Sequence, residues 1–469
     1  MVAIQETILR QGILEAIERA KGQSLSILVS EVHKIDHIDP FYFFASGKEK
    51  FFGERFFWTD PEGEIFLAGL GICGQIQSDQ GTDRFFHVEK EWKRFMDSAL
   101  VFNKYNQNGT GPTMFGGFSF DPLKKKTSLW SKYADALYHI PKYMLSIIKG
   151  EVYFTTNVVC TQHDDVSLFE KVLKEREQVL IDAAVKPAPA KLELADIIEV
   201  DPGAWKQTVR ETVKDLEHND ELKKVVLARE LRLRFKNEIQ AESVLSNLLR
   251  EQQTSFTFAF ESNGDCFIGA SPERLVKKAG DSLFSACLAG SIARGTTPEE
   301  DESLGNELLT DQKNLIEHQY VVDMIKEAME ETCDEVILPD EPTLMKMKYI
   351  QHLYTPVVGK NREGTSLLDL VKRLHPTPAL GGLPKQAAIE KIREIEQLDR
   401  GFYAAPVGWM DYKGNGEFAV AIRSGLIQGS EASLFAGCGI VADSNADSEY
   451  KETSIKFRPM LTALGGKKS

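Results

Sequence analysis

The 469-residue sequence lacks any apolar run of 18 residues, so nothing in it reads as a membrane span. It has little positive charge to spare. Its formal net charge of -14 argues against nucleic acid or an anionic membrane as main partner, because both demand a basic surface. Its six cysteines, 73, 160, 266, 287, 333 and 438, form no CxxC pair and have no histidine at zinc-like spacing. They read as reduced, packed thiols of a cytoplasmic protein. The N-terminal 22 residues alternate apolar and charged residues at helical period, with no continuous apolar core, and so read as an amphipathic helix and not as a signal peptide. Internal repeats and low-complexity segments are absent too.

What is present is an ordinary globular composition, 42% hydrophobic and 27% charged. β-Branched and aromatic runs predict strands at 24–32, 41–46, 55–60, 63–69 and 151–159, and a helix at 164–184. The proline-broken stretch 185–191 divides a strand-rich half, 1–190, from a second half, 191–469. There AWKQTVRETVKDLEH predicts a helix, KKVVLARELRLRF a strand, and SFTFAFES with CFIGASPERLVKK a pair of strands. One long helix is expected over 298–330, a hairpin across Gly414-Asn415-Gly416, and a last helix capped by Asp447 or Ser448. Strands and helices alternate irregularly, which favours an α+β fold with antiparallel sheets.

Several residues carry chemistry. Glu449, Glu452 and Lys456 share one face of the last helix. Together with Glu317 the two glutamates supply the incomplete oxygen shell of a magnesium site. Lys224 heads an apolar strand. It is either an edge residue reaching water or a lysine enclosed in a pocket, where burial would let it act as a base. Glu273 follows Pro272 in a turn; an acid role requires a carboxyl that stays protonated near neutral pH. Arg423, in an otherwise apolar strand, is a natural bidentate partner for a carboxylate. Gly437-Cys438-Gly439 offers backbone N–H groups to an anion. His375 sits in a rigid loop between prolines and glycines. Gly69-Leu70-Gly71-Ile72-Cys73-Gly74 matches GxGxxG, but the polar, glycine-broken sequence after it is no helix, so it reads as a glycine-rich strand edge.

Taken together, KVVLAR (224–229), FIGASPERL (267–275), AGSIARG (289–295), LLTDQKNLIEH (308–318), LHPTPALGGLPK (374–385), GFYAAPVGW (401–409), FAVAIRSGLI (418–427) and AGCGIVADSNADSEYKET (436–453) resemble the chorismate-utilising enzymes, in that family's order. FGGFSFDP (115–122) extends the likeness loosely into the first half. The resemblance implies one large domain of two packed antiparallel sheets flanked by helices, with chorismate and magnesium between the sheet ends. It implies Glu317 and Glu452 as metal ligands, with Glu449 behind them, directly or through water. It implies Lys456, Arg423 and the 437–439 loop as substrate-carboxylate contacts, Gly290 and Ser291 as lining of the ring pocket, and His375, Ala379 and Leu380 as further substrate contacts. Asn314 departs from the acid that many relatives carry. Lys224 matches the family's water-activating lysine, where amine-forming members generally carry glutamine, and Glu273 its general acid. Ala379 stands where pyruvate-eliminating members tend to place threonine. The likeness therefore points to isochorismate formation, with salicylate synthesis the alternative and anthranilate-type chemistry third. A non-catalytic scaffold would lack one of these groups. The long first half favours the menaquinone-type over the siderophore-type members. No amidotransferase subunit is expected, and a monomer or weak dimer is.

Overall fold

The computed structural model describes residues 7–23, 25–188, 190–219, 221–347 and 350–466. Its first helix, Thr7–Gln23, buries Leu9, Ile13, Ala16, Ile17 and Ala20, a spacing that lays one stripe against the strands Ile27–Lys34 and Glu151–Cys160. The first six residues of the predicted amphipathic helix lie outside the described residues. Among the described residues the 21 strands form one hydrogen-bonded network, antiparallel except where Ile27–Lys34 meets Leu100–Phe102. The expected pair of sheets is thus two arms of a single sheet folded over itself.

The path of the sheet explains the fold. From Lys224–Phe235 it passes through Glu431–Ile440, Ser424–Gln428, Asp265–Ser271 and Phe256–Ser262 to Arg55–Thr59. It continues through Ile65–Ser78, Ala136–Ile148, Thr113–Phe118, Pro406–Asp411 and Gly416–Val420 to Arg274–Ala279. Strands of the two sequence halves are therefore neighbours in one sheet. The arms meet through aromatic side chains: Phe56 stacks on Phe115 at 4.6 Å, and Phe115 meets Phe260 edge-on at 5.6 Å. The chain crosses between the arms at two adjacent breaks. Asp265–Ser271 leads into Arg274–Ala279 through Pro272 and Glu273, and Gly416–Val420 leads into Ser424–Gln428 through residues 421–423.

Three sequence expectations are corrected. Residues 41–46 are helical, within Pro40–Ser46, although their composition is aromatic. Asp39 caps that helix by accepting from the N–H groups of Phe41 and Tyr42, and Pro40 supplies a preset first turn, so the local cap overrides strand propensity. The single long helix is two, Pro298–Thr310 and Gln312–Glu330. Asp311 stays extended between them and accepts from the Asn314 N–H, which starts the second helix afresh. The last helix, Ala446–Ala463, is capped by Asn445, which accepts from Asp447 and Ser448 N–H. Gly69–Gly74 lies inside the strand Ile65–Ser78, as a glycine-rich strand and not a nucleotide loop. No helix among the described residues is long and apolar enough to cross a membrane. All six cysteines are free thiols, five buried and Cys73 half-buried.

Candidate active site

The two crossing points bring Glu273 and Arg423 together. Backbone bonds lock the corner: Val420 N–H donates to the Glu273 carbonyl and Ala270 N–H to the Arg423 carbonyl, each at 3.0 Å. The Ser271 hydroxyl donates to the Val420 carbonyl and accepts from the Glu273 N–H. Burial pushes the Glu273 carboxyl up to about 7, and the Arg423 and Lys456 cations oppose only part of that shift. Arg423 has a φ of 51°, a left-handed conformation that costs a non-glycine residue about 1 kcal/mol or more. Its guanidinium makes no hydrogen bond or ion pair among the described residues, although Tyr403, Glu452 and Glu273 lie within its field.

The glycine strand Glu431–Ile440 forms the floor. Its ladder partner is Lys224–Phe235, with Gly437 opposite Ala228 and Gly439 opposite Val226. A Cβ on Gly439 would lie 2.4 Å from Lys224 Cε, so the glycine is what lets the lysine side chain cross the strand. At the far end of that crossing Lys224 ion-pairs with Glu317 on the helix Gln312–Glu330. Two residues away on the same strand, the Gly437 carbonyl accepts from Lys456 Nζ at 2.9 Å. A Cβ on Gly437 would lie 3.4 Å from the Tyr403 hydroxyl. Cys438 points the opposite way, its thiol toward the Glu449 carbonyl.

On the last helix, Lys456 Nζ also pairs with Glu452 at 2.6 Å, and Glu449 accepts from the Ser444 hydroxyl at 2.8 Å. Burial, followed by the Glu452 charge, raises the Glu449 carboxyl above its ordinary range. These three glutamates are hard oxygen donors suited to magnesium, and Glu317 and Glu452 each now face a lysine ammonium, a charge that a cation would replace. Among the described residues no group of three or more His, Cys, Asp or Glu side chains is close enough to hold a metal ion. Asn314 donates its side-chain amide to Asp311 at 2.7 Å.

Gly290, with φ +75°, sits at a register shift in the strand Ser282–Ala293, and a Cβ on it would lie 3.3 Å from Asn314. Ser291 pairs in register with His352 and is exposed. The loop carrying Ala379 and Leu380 flanks Lys224, because Gly382 and Leu383 pair with Val225 and Lys224. Arg400 holds that loop by donating to the Leu380 and Val226 carbonyls. His375 is placed elsewhere. It is 7% exposed, its Nε2 is 3.0 Å from the Phe120 carbonyl, and burial drives its pKa well below the ordinary value. Among the described residues it shares no hydrogen bond or ion pair with Lys224, Glu273, Arg423 or Lys456, and it ties the loop to the first half of the chain.

Two residues escaped the sequence reading. His352 has a buried Nε2 with no partner among the described residues, and its pKa is lowered to about 3 by burial and by the neighbouring Arg423 and Lys456 cations. Tyr403 is buried against Gly437 and Arg423. The polar residue alternating within IQHLYTPVV was the available signal for His352; Tyr403 offered none. The assembled site is a glycine floor with an amine at one end. At the other stand a protonatable carboxyl, an unpaired guanidinium and an unpaired imidazole nitrogen.

The chorismate binding enzyme family model matches residues 15–465. The chain is 44% identical to isochorismate synthase MenF of Bacillus subtilis over 100% of both chains. It is 35% identical to the salicylate biosynthesis isochorismate synthase of Pseudomonas aeruginosa, covering 98% of this chain and 95% of that one. The solved structure of the menaquinone-specific isochorismate synthase MenF of Escherichia coli shares the fold, with a TM-score of 0.77 at 23% identity, over 97% of this chain and 100% of that one. The match spans both sequence halves and the whole glycine-floored site, and the chain belongs to the chorismate-binding enzyme family.

Proposed function

We propose that this chain is an isochorismate synthase of the menaquinone type, a cytoplasmic isomerase acting on chorismate with magnesium and without an amidotransferase partner. The observation that carries the reading is the pairing of Lys224, enclosed over Gly439, with a Glu273 carboxyl that burial holds at about 7. The full-length likeness to isochorismate synthase MenF of Bacillus subtilis supports it.

The reaction adds water at ring carbon 2 and expels the hydroxyl of carbon 4, with the double bonds shifting between. Water is a weak nucleophile. Lys224 takes its proton as the new C–O bond forms, so its contact with Glu317 must loosen as the site fills. Hydroxide is a poor leaving group. Glu273 gives its proton to the departing oxygen, which leaves as water, and the proton taken by Lys224 balances the one given by Glu273. Arg423 and Lys456, with the Gly437–Gly439 backbone, hold the substrate carboxylates. Glu317 and Glu452, with Glu449 supporting, would hold magnesium once the first two leave their lysine partners and the three carboxylates draw together, and the ion would supply positive charge there.

The test is incubation of purified protein with chorismate and magnesium, with products separated by chromatography. Isochorismate alone is the expected product. Salicylate with pyruvate would assign the chain to the salicylate synthases, and no turnover would make it a scaffold. Titration calorimetry of magnesium should show weaker binding in Glu452→Gln; unchanged affinity there would shift the metal to Glu449.

A further inference from the structure

The glycine run 69–74 has a consequence outside the active site. The strand Ile65–Ser78 shifts register between Ile72 and Gly74, and this bulge leaves Cys73 facing a groove of about 590 Å³. The groove lies between that strand, its neighbours Ala136–Ile148 and Glu151–Cys160, and the helix Ser167–Asp182. Its volume falls in the range of small-molecule sites. Ile72, Val158 and Val172 give it an apolar floor.

Its charge is what sets it apart. In a chain of net charge -14, the lining carries four lysines, Lys50, Lys142, Lys171 and Lys174, against one acid, Glu175. That acid is already engaged by Lys50 at 2.7 Å and by the Tyr143 hydroxyl at 3.0 Å. Asp165 lies in the field of Lys171, while Lys142 and Lys174 form no ion pair among the described residues. Lys142 is held in place. A Cβ on Gly71, whose φ is +68°, would lie 3.1 Å from Lys142 Cδ, so the lysine stem runs directly over the glycine. Beneath it Asn157 is 2% exposed. Its amide donates to the Pro141 carbonyl at 2.9 Å, and its carboxamide oxygen has no partner among the described residues. A buried acceptor left open is uncommon in a folded protein and calls for a donor.

We propose that this groove is a second binding site, for a small amphiphilic anion: an apolar ring on the floor, an anionic head between Lys142 and Lys174, and a hydroxyl or N–H donating to Asn157. Lysine suits such a head as a mobile point charge and does not specify carboxylate over phosphate.

The probe is 3-hydroxy-2-naphthoate, titrated by fluorescence into the full chain in saturating chorismate, with inorganic phosphate and neutral 2-naphthol as comparison ligands. One site is expected. Binding should weaken roughly tenfold or more in Lys142→Gln/Lys174→Gln, and 2-naphthol should bind about tenfold more weakly than the naphthoate. Displacement by phosphate at millimolar concentration would assign the head to phosphate chemistry, and its absence to carboxylate. Gly71→Ala should weaken binding as loss of Lys142 does. Turnover of chorismate should be unchanged in the double lysine variant. Unchanged affinity in that variant, or loss of binding in Arg423→Ala, would overturn the proposal; the latter would place the probe in the active site.

Discussion

The two ends of the glycine floor treat charge differently. At the Gly439 end, Lys224 and Glu317 neutralise each other. At the Gly437 end, Glu273 is pushed toward its neutral form, and among the described residues Arg423 has no acid bonded to it and His352 Nε2 has no partner. An uncompensated charge or open polar atom in a half-buried pocket lowers stability. The first end is therefore a satisfied pair that ligand must disturb, and the second keeps positive charge for an anion to satisfy. Substrate binding is expected to depend mostly on the second end, and proton removal on the first.

The two proton-transfer groups should show the largest effects. Lys224→Ala and Glu273→Gln should each lower kcat by about 10²- to 10⁴-fold with the fold intact, measured by steady-state turnover and circular dichroism. Near-normal turnover in either would remove that residue from the mechanism. Arg423→Gly comes next. It should raise the chorismate KM by roughly 10- to 100-fold, the loss of a charged hydrogen bond. Because glycine accepts the left-handed conformation, thermal stability should rise by up to about 1 kcal/mol. A loss of stability instead would make the guanidinium structural.

Gly439→Ala sharpens the other end. The new methyl would displace Lys224, and kcat should fall roughly tenfold while chorismate affinity holds, since near-attack geometry is sensitive to small displacements. The smallest effect is a pH dependence. Glu273 must be protonated to act as an acid, so kcat should fall as pH rises through about 7. The same raised pKa means the folded state binds more protons than the unfolded one between the ordinary glutamate value and about 7. This group's contribution to stability therefore falls as pH rises across that window. Glu273→Gln should flatten the stability change, as followed by thermal melts, and its residual activity should lack the alkaline limb.

Much of this was legible in the second half of the sequence. Lys224, Glu273, Arg423 and the glycines occur in short stretches whose local pattern fixes strand, turn or helix, and the structure places all of them at one floor. The helix at 40–46 was not legible from its aromatic composition, because a single Asp-Pro cap outweighed it. The break at Asp311 was hidden for the same reason: one extended residue inside a polar helical stretch leaves no mark on periodicity. The rigid loop made His375 a candidate hydrogen-bonding fixture and the resemblance made it a substrate contact, but its partner, the Phe120 carbonyl, lies 255 positions away. No local pattern reports such a contact.

The sequence alone determined the secondary structure of most segments, the residue types available for acid, base and anion contacts, and the family, because these depend on neighbours within a few positions. Only the tertiary structure decided that the two sheets are one, that Glu273 and Arg423 share a corner, and that Gly439 makes room for Lys224. It also decided which charges are paired and which are left open. Those outcomes depend on burial and on strands brought together from distant parts of the chain, where desolvation and close contact set the chemistry.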